Sequence, residues 1–250
     1  MLYALGHPAS FVVLVASYVL GVTLHGWVQA LVSARLGDGR LRHDHRLQFN
    51  PRHHIDPFGA LGALIGGLGW AVPVDLPGRR DRRRTWLVGL AGPLANIGLG
   101  VGLLLLFRFV ITSGAALATA ATWAHLGDTS LAGLAGSILP VPATAGGALQ
   151  HGVTFAGDAA GIALLLAGVS QLYLGVFSLL PIPPLSGGRL LLALAPHSLG
   201  WQRARHYLVE QNIGIAVLIV LLVLPLGGRL LVLYLLDSLL APLLRVLLGV

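Results

Sequence analysis

From Phe11 to Leu36 the chain is mostly apolar, and the run stops at Gly37 and Asp38. A stretch of that length predicts a helix that crosses a bilayer, since roughly 18 apolar residues suffice. A polar segment follows, GDGRLRHDHRLQFNPRHHIDP, carrying Arg40, Arg42, Arg46 and Arg52. Residues 58–74, FGALGALIGGLGWAVPV, are apolar again but short and glycine-rich, and RRDRRR at 79–84 comes directly after them. If 58–74 crossed the membrane, one of the two flanking arginine clusters would face outward, against the tendency of such loops to stay cytoplasmic. The pattern therefore predicts a re-entrant segment over 58–74. Non-helical backbone at that depth must be buried in protein, so it packs against other spans.

Residues 86–112 read as a second span, with Arg108 late enough to snorkel to the far interface. Residues 113–158 are rich in Ala, Gly and Thr with weak periodicity, and predict an external loop or an extra hairpin. A third span over 159–180 ends in PIPPLSGGR, where the prolines must break the helix. After the polar SLGWQRARHYLVEQN, the tail predicts a fourth span over 212–236 and an apolar or interfacial helix over 237–250, despite a break at PLGG, 225–228. The whole chain, 1–250, reads as one transmembrane domain.

Composition sharpens this picture. Of 250 residues 56% are hydrophobic and only 10% charged, which predicts an all-α integral membrane protein with several spans. The absence of cysteine removes disulfides and thiolate metal sites, leaving His, Asp and Glu as strong ligands. All 16 basic residues are arginine and Glu210 is the only glutamate. The net charge of +7 does not call for nucleic acid, because ten arginines flank apolar runs, where orientation signals and anionic lipid headgroups meet the chain. The first residues, MLYALGHPAS, lack the basic start of a cleavable signal peptide.

Several ordered motifs then stand out: HGWVQA at 25–30 with Gly37 and Asp38 beyond it, NPRHHIDP at 50–57, GWAVPV at 69–74, AGPLAN at 91–96 and FSLLPIPPLSGGR at 177–189. In this order the set resembles the site-2 protease family of intramembrane zinc metalloproteases, whose motifs run H-E-x-x-H-A, N-P-x-x-H-I-D-P, G-W-A-x-P-V, A-G-P-x-x-N and F-N-L-L-P-I-P-P-L-D-G-G-R. The resemblance covers about residues 17–195. It implies a helical core with the re-entrant segment and a small β element within 39–75. It also implies a cleft for a partner's transmembrane helix.

The family's chemistry needs two histidines one helical turn apart, a glutamate that activates zinc-bound water, and an aspartate from the proline-rich break. His25 keeps the first position. Gly26 stands for the glutamate, Gln29 for the second histidine and Ser186 for the aspartate. Glycine carries no base, an amide is a poor zinc ligand, and an alcohol stays protonated near neutral pH. A lone imidazole does not retain zinc, so no metal and no cofactor is expected. Ser178 replaces the family's asparagine before the break, whereas Asn96 is kept. With Pro183 and Trp70, these two are the candidate residues of the binding cleft.

The function expected is that of a pseudoprotease: a membrane protein of the bacterial cytoplasmic membrane that binds a transmembrane partner, or serves a larger membrane complex, without cutting. Its alternative is an active zinc protease with a rearranged site. His25 reads as a neutral core histidine, with Gln29 pairing to it or to Ser186. A substitute metal site from His43, Asp44, His45, His53, His54 and Asp56 is disfavoured by the surrounding arginines. Ser186 beside Gly187 and Gly188 invites comparison with a serine nucleophile, but no histidine stands at an evident pairing distance in sequence. The small residues of GLAGPLANIGLG suit close helix approach, first of all within the chain itself.

Overall fold

The computed structural model describes residues 8–39, 41, 45–110, 159–226 and 229–248. The first long apolar run forms α1 (Pro8–Arg35), and Phe11–Arg35 within it is long and apolar enough to span a membrane. The expected loop or hairpin at 113–158 lies outside the described residues.

The motif at 50–57 proves to be two helix starts in tandem. The Asn50 side chain accepts from the Arg52 amide at 3.1 Å and opens a short 3-10 turn at Pro51–His53. Asp56 Oδ1 accepts from the Gly59 amide at 2.8 Å and caps α2 (Pro57–Gly66). Each cap is followed by proline, whose fixed φ suits the first helical position and whose missing N–H costs nothing there. Gly67 ends α2 with φ 83°, a left-handed cap that favours glycine. The ten-residue α2 is too short to cross a bilayer, and the chain returns from it in extended form.

The β element expected within 39–75 is, among the described residues, one antiparallel bridge between Ile55 and Ala71, supported by Val72 N–H donating to His54 C=O at 2.8 Å. Further pairing cannot develop because the chain turns into α2 at Pro57.

The second long helix, α3 (Arg82–Val110), starts four residues before the expected span and takes most of the basic run into its first turn. Its partner is α4 (Ala159–Phe177). The two backbones touch at glycine: a Cβ on Gly100 would lie 2.9 Å from the Gly168 carbonyl, and one on Gly175 would lie 3.0 Å from the Pro93 carbonyl. Close approach of this kind replaces the hydrophobic drive that lipid removes. α1 packs on both helices, and Gln171 of α4 donates to the Ser17 carbonyl at 2.6 Å and to its hydroxyl at 2.8 Å.

Beyond the proline break come α5 (Ser186–Leu194), which lies on α3, and α6 (Leu199–Arg205), extended by a π turn through Glu210. The fourth span expected over 212–236 is not one helix. α7 (Ile213–Val223) ends at Leu224, and the strands β1 (Pro225–Leu226) and β2 (Arg229–Leu230) make a hairpin. The remaining chain is α8 (Leu231–Leu248), apolar over 18 residues. Pro225 cannot continue the preceding helix, which is why the boundary falls there and not at 236. α7 packs on α2, with Leu222 Cβ 2.9 Å from a Cβ built on Gly66. Arg108 does not run free at the interface, because its guanidinium donates to the carbonyls of Val246 and Leu247 at the C-terminal end of α8. The fold is all-α in its layers, with three helices long and apolar enough to span a membrane among the described residues.

Candidate functional site

The degenerate positions converge. His25 and Gln29 occupy one face of α1, one turn apart, and both are buried. Ser186 is the first residue of α5, delivered by the proline break to the same point. Gly187 and Gly188 make that delivery sterically feasible. A Cβ on Gly187 would lie 2.0 Å from the Leu179 carbonyl oxygen, and one on Gly188 would lie 2.2 Å from the Ile182 carbonyl carbon. The break itself contains a cis peptide between Pro183 and Pro184.

Four polar side chains are linked. Gln29 Nε2 donates to Ser186 Oγ at 3.0 Å and to the Gly89 carbonyl at 3.3 Å. His25 Nε2 lies 3.0 Å from Ser186 Oγ, and the Asn96 amide lies 3.4 Å from His25 Nδ1. The Gly89 carbonyl is available because Pro93, four residues along α3, has no N–H to give it. The proline of AGPLAN thus frees the carbonyl that orients Gln29. A Cβ on Gly92 would fall 2.5 Å from His25 Cδ2, so the glycine of the same motif makes room for the imidazole.

Gly26 has its own neighbour. A Cβ there would approach His54 Nδ1 to 2.6 Å and His54 Cβ to 3.3 Å. The His54 ring is buried and held from its other edge, where Nε2 donates to the Gln48 carbonyl at 3.1 Å. Burial, assisted by the nearby Arg46 and His53 charges, lowers the His54 pKa below its ordinary value, although the bond to Gln48 works the other way. The space a glutamate at 26 would need is filled by imidazole.

Of the cleft candidates, Trp70 is buried with its Nε1 unpartnered among the described residues, and Gly59 lies against its backbone. The Ser178 hydroxyl turns back to the Leu174 carbonyl of its own helix at 2.7 Å, so it does not join the polar chain. Pro183 is buried, and its carbonyl abuts Gly214. A cavity of ≈ 20 Å³ lies beside Ser186, lined also by His25, Gln29, Trp70, Pro184 and Arg189, and it has room for about one water molecule. Arg189 donates to the Val74 carbonyl at 2.8 Å and pins the extended segment to α5. Sequence reasoning did not single out Gly89, Gly92 or Arg189. The Gly89 carbonyl was nevertheless legible as the partner that Pro93 leaves unpaired.

Comparison with known proteins places this arrangement. The chain is 28% identical over 227 residues to "Putative zinc metalloprotease YwhC" of Bacillus subtilis, covering 86% of this chain and 82% of that protein. It is 29% identical to "Putative zinc metalloprotease Rip2" of Mycobacterium tuberculosis and 30% to the protein of that name in Mycolicibacterium smegmatis, covering 56% and 59% of those proteins. The chain is thus similar to proteins named putative zinc metalloproteases, in keeping with the resemblance of its motifs to the site-2 protease family. No family model matches it, and no solved structure matches at significance.

The family's zinc does not fit the residues present. The donors converging on the site are one imidazole, one neutral amide and one alcohol, and the amide nitrogen and the imidazole both lean on the alcohol where an ion would sit. Among the described residues no group of three His, Cys, Asp or Glu side chains comes together elsewhere. His45 and His53 stack at 6.0 Å, whereas His43 and Asp44 lie outside the described residues.

Proposed function

We propose that this chain is a site-2 protease homologue that has lost metal-activated hydrolysis and keeps the scaffold to hold a transmembrane segment of a partner protein, by itself or within a larger membrane complex. The reading rests on one observation above all: His25 and Gln29 close directly onto Ser186, at 3.0 Å each. A divalent ion there would have to displace hydrogen bonds between neutral groups and would gain no negative ligand in exchange. Gly26 offers no base, and the His54 ring stands where one would extend.

What the scaffold keeps supports a binding role. The extended segment through Trp70 and Val74 still lines, with Pro184 and Leu185, the small cavity beside Ser186. The setting proposed is a multi-pass protein of a bacterial cytoplasmic membrane, with the arginines of 79–84 against anionic headgroups on the inner side.

The zinc content of protein purified without added metal tests this reading. Substoichiometric zinc, unchanged in His25→Ala, is the expected result. Stoichiometric zinc that disappears with His25→Ala overturns it in favour of a rearranged metalloprotease.

A further inference from the structure

Hydrogen bonds around Ser186 have a direction, and following it leads beyond a passive cleft. A backbone carbonyl only accepts, so the contact at 3.3 Å to the Gly89 carbonyl identifies the Gln29 atom as the amide nitrogen. That nitrogen only donates, so at 3.0 Å Ser186 Oγ receives its proton. Among the described residues the serine's own proton then has one acceptor within reach, His25 Nε2 at 3.0 Å. A histidine that accepts at Nε2 carries its proton on Nδ1, and the group facing Nδ1 at 3.4 Å is the Asn96 amide. The two ends of an amide exchange places by a half turn, so Asn96 presents its oxygen to Nδ1–H.

We infer that Ser186, His25 and Asn96 form a serine acyl-transfer centre on the site the family gives to zinc. The nucleophile, base and orienting group stand in the order such centres require, and the spacing is that of a resting site. Position supports the assignment as much as distance. Ser186 is partly exposed and lines the small cavity together with His25, whereas His25 and Asn96 are themselves buried. The imidazole is held in place by Gly92, against which its ring lies. Ser186 also opens a nine-residue helix, whose positive end favours charge developing on an attacked carbonyl. No histidine stands at an evident pairing distance from Ser186 in sequence, and the one that meets it is remote along the chain. The two are 161 residues apart in sequence and meet only because the proline break returns the chain to α1.

The proposed substrate is a carbonyl of the transmembrane segment held in the cleft, so the inference rests on the metal-free reading given above. In the first step Ser186 Oγ bonds to the carbonyl carbon and its proton passes to His25 Nε2. The Gln29 N–H that pointed at the hydroxyl now lies beside the carbonyl oxygen and stabilises its charge. The carbon–nitrogen bond breaks, the leaving amine takes the proton from His25, and an acyl ester remains on Ser186. Water activated by the same imidazole hydrolyses that ester and regenerates the hydroxyl.

Full-length protein in mild detergent with a chelator, treated with a fluorophosphonate probe and mapped by peptide mass spectrometry, tests this. A parallel sample receives phenylmethylsulfonyl fluoride as a smaller probe. The expected result is an adduct on Ser186, with labelling slowed by about 10²-fold or more in His25→Gln. Asn96→Ala slows it as well, and Ser238→Ala, which changes an exposed serine on α8, leaves it unaltered. An unmodified Ser186 under both probes, in wild-type protein that melts cooperatively, overturns the inference without needing any variant. Metal analysis of the same sample separates the two readings. Stoichiometric zinc defeats the metal-free cleft, whereas zinc-free protein with an unreactive Ser186 defeats only the serine centre.

Discussion

The ring of His54 lies over the α1 backbone at Gly26, close enough that a Cβ there would meet Nδ1 at 2.6 Å. This contact joins two of the family's motifs and bears on whether the lost glutamate can simply be put back. Gly26→Ala would ordinarily gain about 0.5–1 kcal/mol in a helix interior. Here overpacking outweighs that, and Gly26→Glu is expected to cost about 1–3 kcal/mol. Combining it with His54→Ala should recover part of the loss, and a double-mutant cycle of melting temperatures measures the coupling. Purely additive effects would mean the two positions do not touch.

Rebuilding the ligands is a separate matter. Gln29→His with Ser186→Asp restores two histidines and a carboxylate around one point, because all three side chains already converge there. The double variant is expected to copurify with one zinc, lost on further His25→Ala. Metal analysis showing none would mean that the helices have drifted too far apart for a tetrahedral site.

The docking of the re-entrant helix can be read by crosslinking. The chain has no cysteine, so an engineered pair reports without background. Gly66→Cys with Leu222→Cys brings together positions whose Cβ atoms are within disulfide reach. Oxidation should shift its mobility on a nonreducing gel. Gly66→Cys paired with Val217→Cys, on an exposed part of α7, should not shift.

Acid should loosen the same region. Burial lowers the His54 pKa, so folding favours its neutral form. That contribution is complete above the ordinary value of 6.5 and is lost as pH falls through the lower folded value. Melting temperature is therefore expected to drop on acidification below 6.5, more steeply in wild type than in His54→Gln. Identical slopes would remove His54 as the titrating group.

Some of the site could be read directly. Gly26, Gln29 and Ser186 each lack the chemistry their positions require, and that follows from residue type alone. The tandem caps at Asn50–Pro51 and Asp56–Pro57 are local signals of the same kind. Tail boundaries were less legible. A hydropathy count runs through 212–236 without registering that Pro225 ends one helix and Leu231 begins another. The small β element within 39–75 is, among the described residues, the single bridge at Ile55 and Ala71, whose pairing partners the sequence did not name.

Sequence by itself determined the long apolar runs, the caps and the residue types at positions 26, 29 and 186, because hydrophobic length, capping geometry and ligand type are properties of a residue and its near neighbours. Only the tertiary structure decided that Ser186 meets His25, that Gly89 orients Gln29 and that His54 fills the place of the missing base. Those relationships join segments brought together by helix packing and a proline break, and a distance of 3.0 Å between residues 161 positions apart has no local signature.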